Sequence, residues 1–265
     1  MSDPLPPADV NADVRSRWDE NAAFWDEHMG VSGNDFHLQL IRPAVERFLG
    51  SVRGERVLDV ACGNGLFARR LAELGADVLA TDASAAMLDR ARQHPSEGIE
   101  YRQLDAASAD ELATLRDREF DAIVSNMALM DMADIRPLAK AIPRLLKSSG
   151  RLVFSTCHPC FNTIGIRFVH EYEDLDGDPV ERRGVVITRY ATPAVGEGVA
   201  ITGQPAKQLY FDRPLNMVLR PFFDAGLVLD GLEEPAFPPD TEIRRLHWDA
   251  LSEIPPVLVG RLRPV

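Results

Sequence analysis

The sequence is poor in cysteine, and this scarcity limits its metal and redox chemistry. Its three cysteines are Cys62, Cys157 and Cys160, and the last two form a C-x-x-C motif. A structural zinc site needs a second pair of ligands, and a redox site needs a thioredoxin-like context; neither is evident. We therefore expect no metal, and we interpret the cysteines as small side chains that fill a core.

The sequence also lacks long apolar runs and has fewer basic than acidic residues. No apolar run approaches the length of a membrane span, and residues 1–10 lack the charged start and apolar middle of a signal peptide. Lysine and arginine number 29 against 41 aspartate and glutamate, for a net charge of −12. Such a field opposes binding to a nucleic-acid backbone. We expect a cytoplasmic protein whose partner is a small molecule, neither nucleic acid nor membrane; the oligomeric state stays open.

The sequence is organised around residues 56–66. Residues 57–61 form a short, mostly apolar run with β-branched side chains, which predicts a buried strand. Gly63 and Gly65 then allow a tight turn, and a helical pattern starts at Leu66. A strand, a glycine turn and a helix N-terminus together form a cradle for a nucleotide-like ligand.

Two kinds of ligand fit that cradle. Residues 63–68 satisfy the dinucleotide fingerprint G-x-G-x-x-(G/A), which leaves a nicotinamide-dependent oxidoreductase as an alternative. Asp59, however, would oppose a pyrophosphate and favours a cationic ligand. S-Adenosylmethionine carries an ammonium and a sulfonium and has no phosphate. The sequence also has no Tyr-x-x-x-Lys pair to serve as a dehydrogenase base.

Residues 58–65 resemble motif I of the class I S-adenosylmethionine-dependent methyltransferases. One departure is Ala61, where that family usually has its first glycine. Trp18, the Phe24-Trp25 pair and the His158-Pro159 pair add resemblance to a bacterial small-molecule subgroup. The resemblance implies S-adenosylmethionine as cofactor, S-adenosylhomocysteine as product, and in-line methyl transfer to an O, N or C nucleophile. A non-catalytic S-adenosylmethionine-binding protein remains an alternative.

Strands and helices alternate along the sequence, which predicts an α/β fold. We expect a doubly wound, mostly parallel, seven-stranded, Rossmann-like sheet with an N-terminal helical lid and a small β-insertion after the fifth strand. The predicted strands are 57–61, 77–81, 99–104, 120–125, 151–155, 226–232 and 256–262, the last an antiparallel edge strand. The predicted helices are 14–29, 36–49, 66–74, 84–93, 135–147 with a kink at Pro143, and 214–224.

Four segments follow from this pattern. Residues 1–50 are expected to form an arm, over 1–13, and the helical lid, and residues 51–155 the cofactor-binding core. Residues 156–213 are expected to form the insertion, which serves as the acceptor cap, with strands at 185–190 and 208–211. Residues 214–265 complete the sheet.

Polar side chains stand at the predicted carboxyl ends of the strands, where ligands bind in such sheets. Asp82 lies 17 positions after Gly65, close to the spacing of a ribose-binding acid; the alternative is a helix-starting acid before Ser84. The family resemblance implies that Met87 and Asp105 lie near the adenine and that residues 126–129 follow the methionine end. The predicted cofactor-binding residues are Asp59, Ala61, Gly63, Asn64, Gly65, Asp82, Ala83, Met87, Asp105, Ala106, Asn126, Met127 and Leu129.

The lid and a catalytic base complete the prediction. Trp18, Phe24, Trp25 and Met29 are expected to form an aromatic and apolar lid that excludes water; the alternative is a helix that only packs on the core. His158 follows the fifth strand and can take a proton near neutral pH, so we predict it as the catalytic base. The alternative is a buried histidine satisfied by a backbone carbonyl.

Overall fold

The computed structural model describes residues 10–94, 97–117, 119–239, 241 and 247–265. Its strands are β1 Arg56–Val60, β2 Asp77–Asp82, β3 Ile99–Gln103, β4 Phe120–Asn126, β5 Leu146–Cys157, β6 Arg167–Leu175, β7 Asp178–Val186, β8 Ala194–Gly198, β9 Gln208–Asp212, β10 Leu227–Glu233 and β11 Val257–Pro264. Its α-helices are α1 Val10–Met29, α2 Arg42–Leu49, α3 Leu66–Glu73, α4 Ala85–Gln93, α5 Ala109–Leu112, α6 Arg136–Leu145 and α7 Leu215–Asp224. A π-helix, His37–Ile41, leads into α2, and a 3-10 turn, Trp248–Ala250, precedes β11.

The predicted doubly wound sheet is confirmed. Its seven strands lie in the order β10-β11-β5-β4-β1-β2-β3. The strands from β3 to β5 pair in parallel, whereas β11 is antiparallel to both of its neighbours. The prediction of an edge position for the last strand is wrong, because β11 lies between β10 and β5. Val257, Leu258 and Val259 are all fully buried, as an interior strand requires.

Hydrophobic side chains cover both faces of the sheet. On one face, Leu58 of β1 shares a cluster with Leu138 of α6 and Phe222 of α7. On the other, Val57 of β1 shares a second cluster with residues of α2 and α3, among them Leu71. Consecutive β1 residues thus point into opposite clusters, which explains why this strand is apolar throughout.

The insertion contains more strand than predicted. Strands β6 and β7 form a hairpin whose loop is Asp176-Gly177, with φ values of +56° and +95°. This is the Asp-Gly signal of a tight hairpin turn, and the sequence analysis missed it. Strand β7 ends at Val186, so most of the predicted strand 185–190 is not extended in a ladder. The prediction at 208–211 corresponds to β9, which pairs with β8.

Several element boundaries also differ from the prediction. Helix α1 begins at Val10, so residues 10–13 are helical, while residues 1–9 of the predicted arm lie outside the described residues. Helix α6 ends at Leu145, and β5 begins at the next residue, well before residue 151. The short helix α5, capped by the Ser108 side chain, was not predicted. None of the helices in the described ranges is long and apolar enough to cross a membrane.

We predict that Gly260→Ala destabilises the protein. A Cβ added at Gly260, in the buried strand β11, would meet the Phe154 ring at 2.5 Å. Phe154 is fully buried and stacks on Phe222, so the ring has little room to move. Urea unfolding should show a loss of about 1–3 kcal/mol, the usual cost of overpacking. The matched control is Gly184→Ala in β7, where the added Cβ makes only ordinary contact at 3.7 Å. Equal unfolding free energies for the two variants would contradict this account of the interior strand.

Candidate active site

A cavity of about 1310 Å³ opens at the carboxyl ends of the sheet strands. The rest of its wall comes from α1, the insertion, residues of the segment 34–41, and a C-terminal group that includes Phe237 and Trp248. Most of the predicted site residues line it: Asp59, Ala61, Gly63, Asn64, Asp82, Ala83, Met87, Asp105, Ala106, Asn126, Met127, Trp18, Trp25 and Met29. The fold therefore brings together predicted residues from four strand ends and from the N-terminal helix.

Asp82 joins the glycine turn to the start of α4. Its Oδ2 accepts a hydrogen bond from the Gly63 N–H at 2.8 Å, and its Oδ1 accepts one from the Ser84 N–H at 2.8 Å. Burial raises the pKa of Asp82 to about 6 despite these two hydrogen bonds. The cap of α4 is Ser84, whose side chain accepts from the Met87 N–H. Asp82 thus stands at the cavity wall and does not itself provide the cap.

Asp59 is a buried acid that faces the cavity without a partner. Its side chain is 1% exposed, and among the described residues its Oδ2 has no hydrogen-bond partner. Burial, with a smaller contribution from Asp82, raises the pKa of Asp59 to about 8. A buried carboxyl in this state is stabilised by a proton or by a cation. The Asp59 carboxyl therefore fits a ligand that carries an ammonium group.

A third acid, Asp105, follows β3 on the same side of the sheet. Its Oδ1 accepts a hydrogen bond from the Ala107 N–H at 2.8 Å, and burial raises its pKa. The neighbouring wall is apolar, because the buried side chains of Met87, Leu104 and Ala106 face the same cavity. An apolar slot with an acceptor at its rim suits a flat heterocycle that carries an amino group.

Two strand ends adopt backbone conformations that L-residues rarely adopt. Ala61 has φ +56° after β1, and Met127 has φ +50° after β4. Such left-handed conformations cost a non-glycine residue about 1–2 kcal/mol, and they concentrate at functional sites. At Ala61 this conformation explains why glycine is the usual residue of the resembling motif. Both residues turn the chain sharply at the cavity wall.

Asn126 and Met127 are held by Ser155 of the adjacent strand. The Ser155 hydroxyl donates to Asn126 Oδ1 at 3.1 Å, and the Met127 N–H donates to the Ser155 carbonyl at 2.9 Å. Asn126 Nδ2 is buried without a hydrogen-bond partner in the described part of the chain. This amide is thus a fixed, unsatisfied donor in the cavity wall.

Four predicted site residues lie outside the cavity wall. Gly65 is packed so closely that an added Cβ would lie 2.6 Å from the Tyr101 hydroxyl, so its role is steric. Leu129 is buried in the hydrophobic cluster that includes α6. Phe24 stacks on His28, with ring centroids 3.8 Å apart. The fourth is His158.

The geometry does not support His158 as the catalytic base. The residue is 2% exposed and is absent from the cavity wall. Its Nε2 lies 2.7 Å from Glu234 Oε1, and its Nδ1 accepts from the Cys160 N–H at 3.1 Å. Burial lowers its pKa even though Glu234 opposes this change. Both ring nitrogens are occupied, so the structural alternative describes this histidine, with a carboxylate partner in place of the backbone carbonyl.

Helix α1 closes the cavity on the side of the glycine turn. Asp26 accepts hydrogen bonds from Asn64 Nδ2 at 2.9 Å and shares one with His94 Nε2 at 2.7 Å. The Ser84 hydroxyl donates to Asp19 Oδ1 at 2.6 Å. The lid helix is therefore fastened to the same turn and to the same helix start that present Asp82.

The same helix is fastened to the insertion on its other side. Asn21 is fully buried and exchanges two hydrogen bonds of 2.9 Å with the Ala206 backbone. Arg17 forms an ion pair with Glu197 of β8 at 2.7 Å. Between these anchors, Trp18 and Trp25 meet edge to face at 5.1 Å and line the cavity.

The sequence analysis missed the polar group at the insertion side of the cavity. Asp131, Gln208 and Tyr210 all line this part of the wall. Asp131 lies in an apolar stretch of sequence after β4. A single acid in such a stretch indicates a candidate site residue, so the sequence contained a usable signal. Gln208 and Tyr210 lie two residues apart on β9 and therefore point to the same face.

The cysteines show no metal-binding arrangement. Cys62, Cys157 and Cys160 are free thiols. Within the described ranges, no group of three or more His, Cys, Asp or Glu side chains could hold a metal ion.

Comparison with known proteins identifies the domain that builds this cavity. Residues 58–154 match the family described as a methyltransferase domain. A ubiquinone biosynthesis O-methyltransferase from Acinetobacter baylyi is 36% identical over 145 residues, which are 51% of this chain and 57% of that protein. The chain thus spans about half the length of the curated relatives it matches.

Solved structures agree with this match. An S-adenosylmethionine-dependent methyltransferase from Mesorhizobium loti has a TM-score of 0.66 and 29% identity, covering 83% of this chain and 96% of that one. The glycopeptide N-methyltransferase MtfA, solved with S-adenosylmethionine, shares the fold at a TM-score of 0.52 and 15% identity, with coverages of 84% and 94%. The resemblance drawn from motif I is confirmed over residues 58–154, which match a methyltransferase domain, and the chain is similar to solved S-adenosylmethionine-dependent methyltransferases.

We predict that the unfolding free energy of Asp59→Asn, relative to wild type, rises with pH. The pKa of Asp59 is raised by folding, so the unfolded chain ionises first as pH rises. Between an unfolded pKa of about 4 and the folded value of about 8, wild type loses about 1.4 kcal/mol per pH unit through this group. Urea unfolding at pH 5 and pH 7, without ligand, measures the effect. Asp77→Asn, an exposed acid at the start of β2, is the control. A difference between Asp59→Asn and wild type that is the same at both pH values would contradict the assignment.

Proposed function

We propose that this protein transfers the methyl group of S-adenosylmethionine to an O, N or C nucleophile of a small molecule. The observation that carries the proposal is the buried, unpartnered carboxyl of Asp59 beside the glycine turn, in a cavity that continues to a second polar group. The cavity volume leaves space beyond the cofactor. A nicotinamide-dependent oxidoreductase is disfavoured, because Asp59 would oppose the pyrophosphate and the sequence has no Tyr-x-x-x-Lys pair.

Each acid at a strand end has an assigned role in holding the cofactor. Asp59 binds the ammonium group, Asp82 the ribose hydroxyls, and Asp105 the adenine amino group beside Met87. Asn126 Nδ2 is a free donor for the methionine carboxylate. When bound, S-adenosylmethionine supplies an electrophilic methyl carbon on a sulfonium sulfur. The protein's own contribution is to align the acceptor with that carbon and to exclude water.

The other parts of the chain have proposed roles around this centre. Residues 1–50 supply the lid, residues 51–155 bind the cofactor, residues 156–213 recognise the acceptor, and residues 214–265 complete the sheet. The negative net charge supports a small-molecule acceptor over a nucleic acid, and the three free thiols support a cytoplasmic location. The curated relatives are named as O-methyltransferases, which supports oxygen among the three nucleophiles.

We predict that Asp82→Ala weakens S-adenosylmethionine binding by about 1.5–3 kcal/mol, the range for a hydrogen bond to a charged group. Calorimetric titration measures this, and thermal unfolding checks that the variant is folded. Asp77→Ala lies on the same strand, but its side chain is 67% exposed in an ion pair with Arg56, so its affinity should match wild type. Unchanged affinity in Asp82→Ala, or wild-type binding of NAD in place of S-adenosylmethionine, would refute the cofactor assignment. Turnover with an acceptor separates an enzyme from a non-catalytic binding protein.

We also predict that S-adenosylhomocysteine slows amide hydrogen exchange in α1. The helix is fastened to the loops that hold the ligand, through Asp19 and Asp26, so ligand binding stabilises its docked position. Helix α7 packs against α6 on the far side of the sheet and serves as the internal reference. Exchange in α1 should slow at least tenfold more than in α7. Strong and equal protection of α1 with and without the ligand would make it an ordinary part of the core.

A further inference from the structure

Asp131 is an unsatisfied acid at the insertion side of the cavity. Its side chain is 9% exposed, and among the described residues its Oδ1 is buried without a hydrogen-bond partner. The Gln208 side chain lies beside the carboxyl, whose pKa is raised by burial and lowered to a smaller extent by Gln208. Gln208 Oε1 accepts from Gln204 Nε2 at 3.3 Å, which leaves the Gln208 amide nitrogen as the donor to Asp131. Asp131 therefore lines the cavity with a carboxyl that is not fully hydrogen bonded within the described part of the chain.

The segment that carries this carboxyl is clamped to the insertion. Arg213 Nη2 donates to the carbonyls of Met132 and Ala133, both at 2.7 Å. The Phe211 N–H donates to the Met130 carbonyl at 2.7 Å. These hydrogen bonds are made by the backbone immediately before and after Asp131. They fix its position relative to β9 and to the cavity, so it is preorganised for a ligand.

We propose that Asp131 is the acceptor-binding base: its unsatisfied carboxyl, on the cavity wall, accepts a hydrogen bond from an O–H or N–H nucleophile and then takes that proton. This inference rests on the proposed methyltransferase function. The nucleophile's lone pair forms the bond to the methyl carbon, the electron pair of the broken carbon–sulfur bond stays on sulfur, and the proton passes to Asp131. The substrate class is a small molecule whose reacting atom carries a proton.

The surrounding groups favour Asp131 over its neighbours for this role. Asp82 of β2, Cys157 of β5 and Tyr210 of β9 are the titratable groups whose charges couple to it. Burial raises the pKa of Cys157 and of Tyr210, so both stay neutral and protonated near pH 7. Burial, reinforced by Asp82, also raises the pKa of Asp131, which brings a carboxyl closer to the range of an efficient base.

The chemistry also predicts what the site rejects. An acceptor with a carboxylate or phosphate beside its nucleophile would place a like charge against Asp131. An acceptor whose nucleophile is already methylated has no hydrogen to donate, so it would leave the buried carboxyl unsatisfied.

Binding of simple probes tests recognition without any turnover. Phenol and aniline are each compared with a partner that lacks the O–H or N–H group, anisole and toluene, on protein saturated with S-adenosylhomocysteine. Wild type should bind at least one donor probe tenfold or more tightly than its partner, a preference equal to about 1.4 kcal/mol. Asp131→Ala should lose that preference while binding S-adenosylhomocysteine as wild type does. A phenol preference with none for aniline assigns an oxygen acceptor, and the reverse assigns nitrogen.

Turnover of the preferred probe tests the proton transfer. Asp131→Asn keeps the shape but cannot take a proton, so its rate should fall about 10²–10⁴-fold. The wild-type rate should fall as pH drops and Asp131 becomes protonated. The same fall at low pH should be seen in Asp131→Glu, which keeps a carboxyl group. Asp89→Asn, an exposed acid of α4, should match wild type.

Three results would overturn the proposal. The first is that wild type shows no preference for either donor probe. The second is full turnover in Asp131→Asn. The third is that Asp131→Ala and Asp131→Asn each lose S-adenosylhomocysteine affinity as much as they lose turnover. The last result would make Asp131 structural. Wild-type binding of S-adenosylhomocysteine in any of these cases leaves the proposed cofactor site standing.

Discussion

The site depends on the burial of the Asp59, Asp82 and Asp131 carboxyl groups at one edge of the sheet, where no basic side chain in the described ranges pairs with them. Asp59 and Asp131 each keep a buried oxygen without a hydrogen-bond partner in the described part of the chain, and Asp82 is satisfied only by backbone N–H groups. Burial raises the pKa of all three. Such an arrangement costs folding free energy unless a ligand supplies the missing charge or hydrogen bonds. The cavity is thus built for a ligand that carries a positive charge and hydroxyl groups.

The parts around the sheet keep those carboxyl groups away from water. Helix α1 joins the glycine turn to the insertion through Asp26 on one side and Asn21 on the other. Arg213 joins the insertion to the segment after β4. Lid, insertion and core therefore form one hydrogen-bonded ring around the cavity. A low-dielectric interior strengthens the electrostatic interactions on which binding and proton transfer depend.

Local patterns predicted which residues meet at the strand-end side of the cavity, whereas long-range pairing decided the rest. The positions of Asp59 and Asp82 at strand ends could be predicted, because each lies at the end of a short apolar strand and before a turn. Both features are evident from a few neighbouring residues. His158 also follows a strand, but its N–H donates to the Pro256 carbonyl, and Glu234 holds its ring. Glu234 follows β10 and Pro256 precedes β11, and the interior position of β11 was not predicted. Asp131 was missed for the same reason, because its partners on β9 are distant in sequence.

Proton release on binding tests most directly whether this edge of the sheet is built for a cationic ligand. Calorimetric titration of S-adenosylmethionine near pH 6.5, in two buffers with different ionisation enthalpies, gives the number of protons exchanged. Asp59, with a pKa raised to about 8, is mostly protonated in the free protein at that pH. The account predicts a net release of protons as the ammonium group stabilises the Asp59 carboxylate, and a smaller release in Asp59→Asn. Binding with no proton release, or with proton uptake, would contradict it.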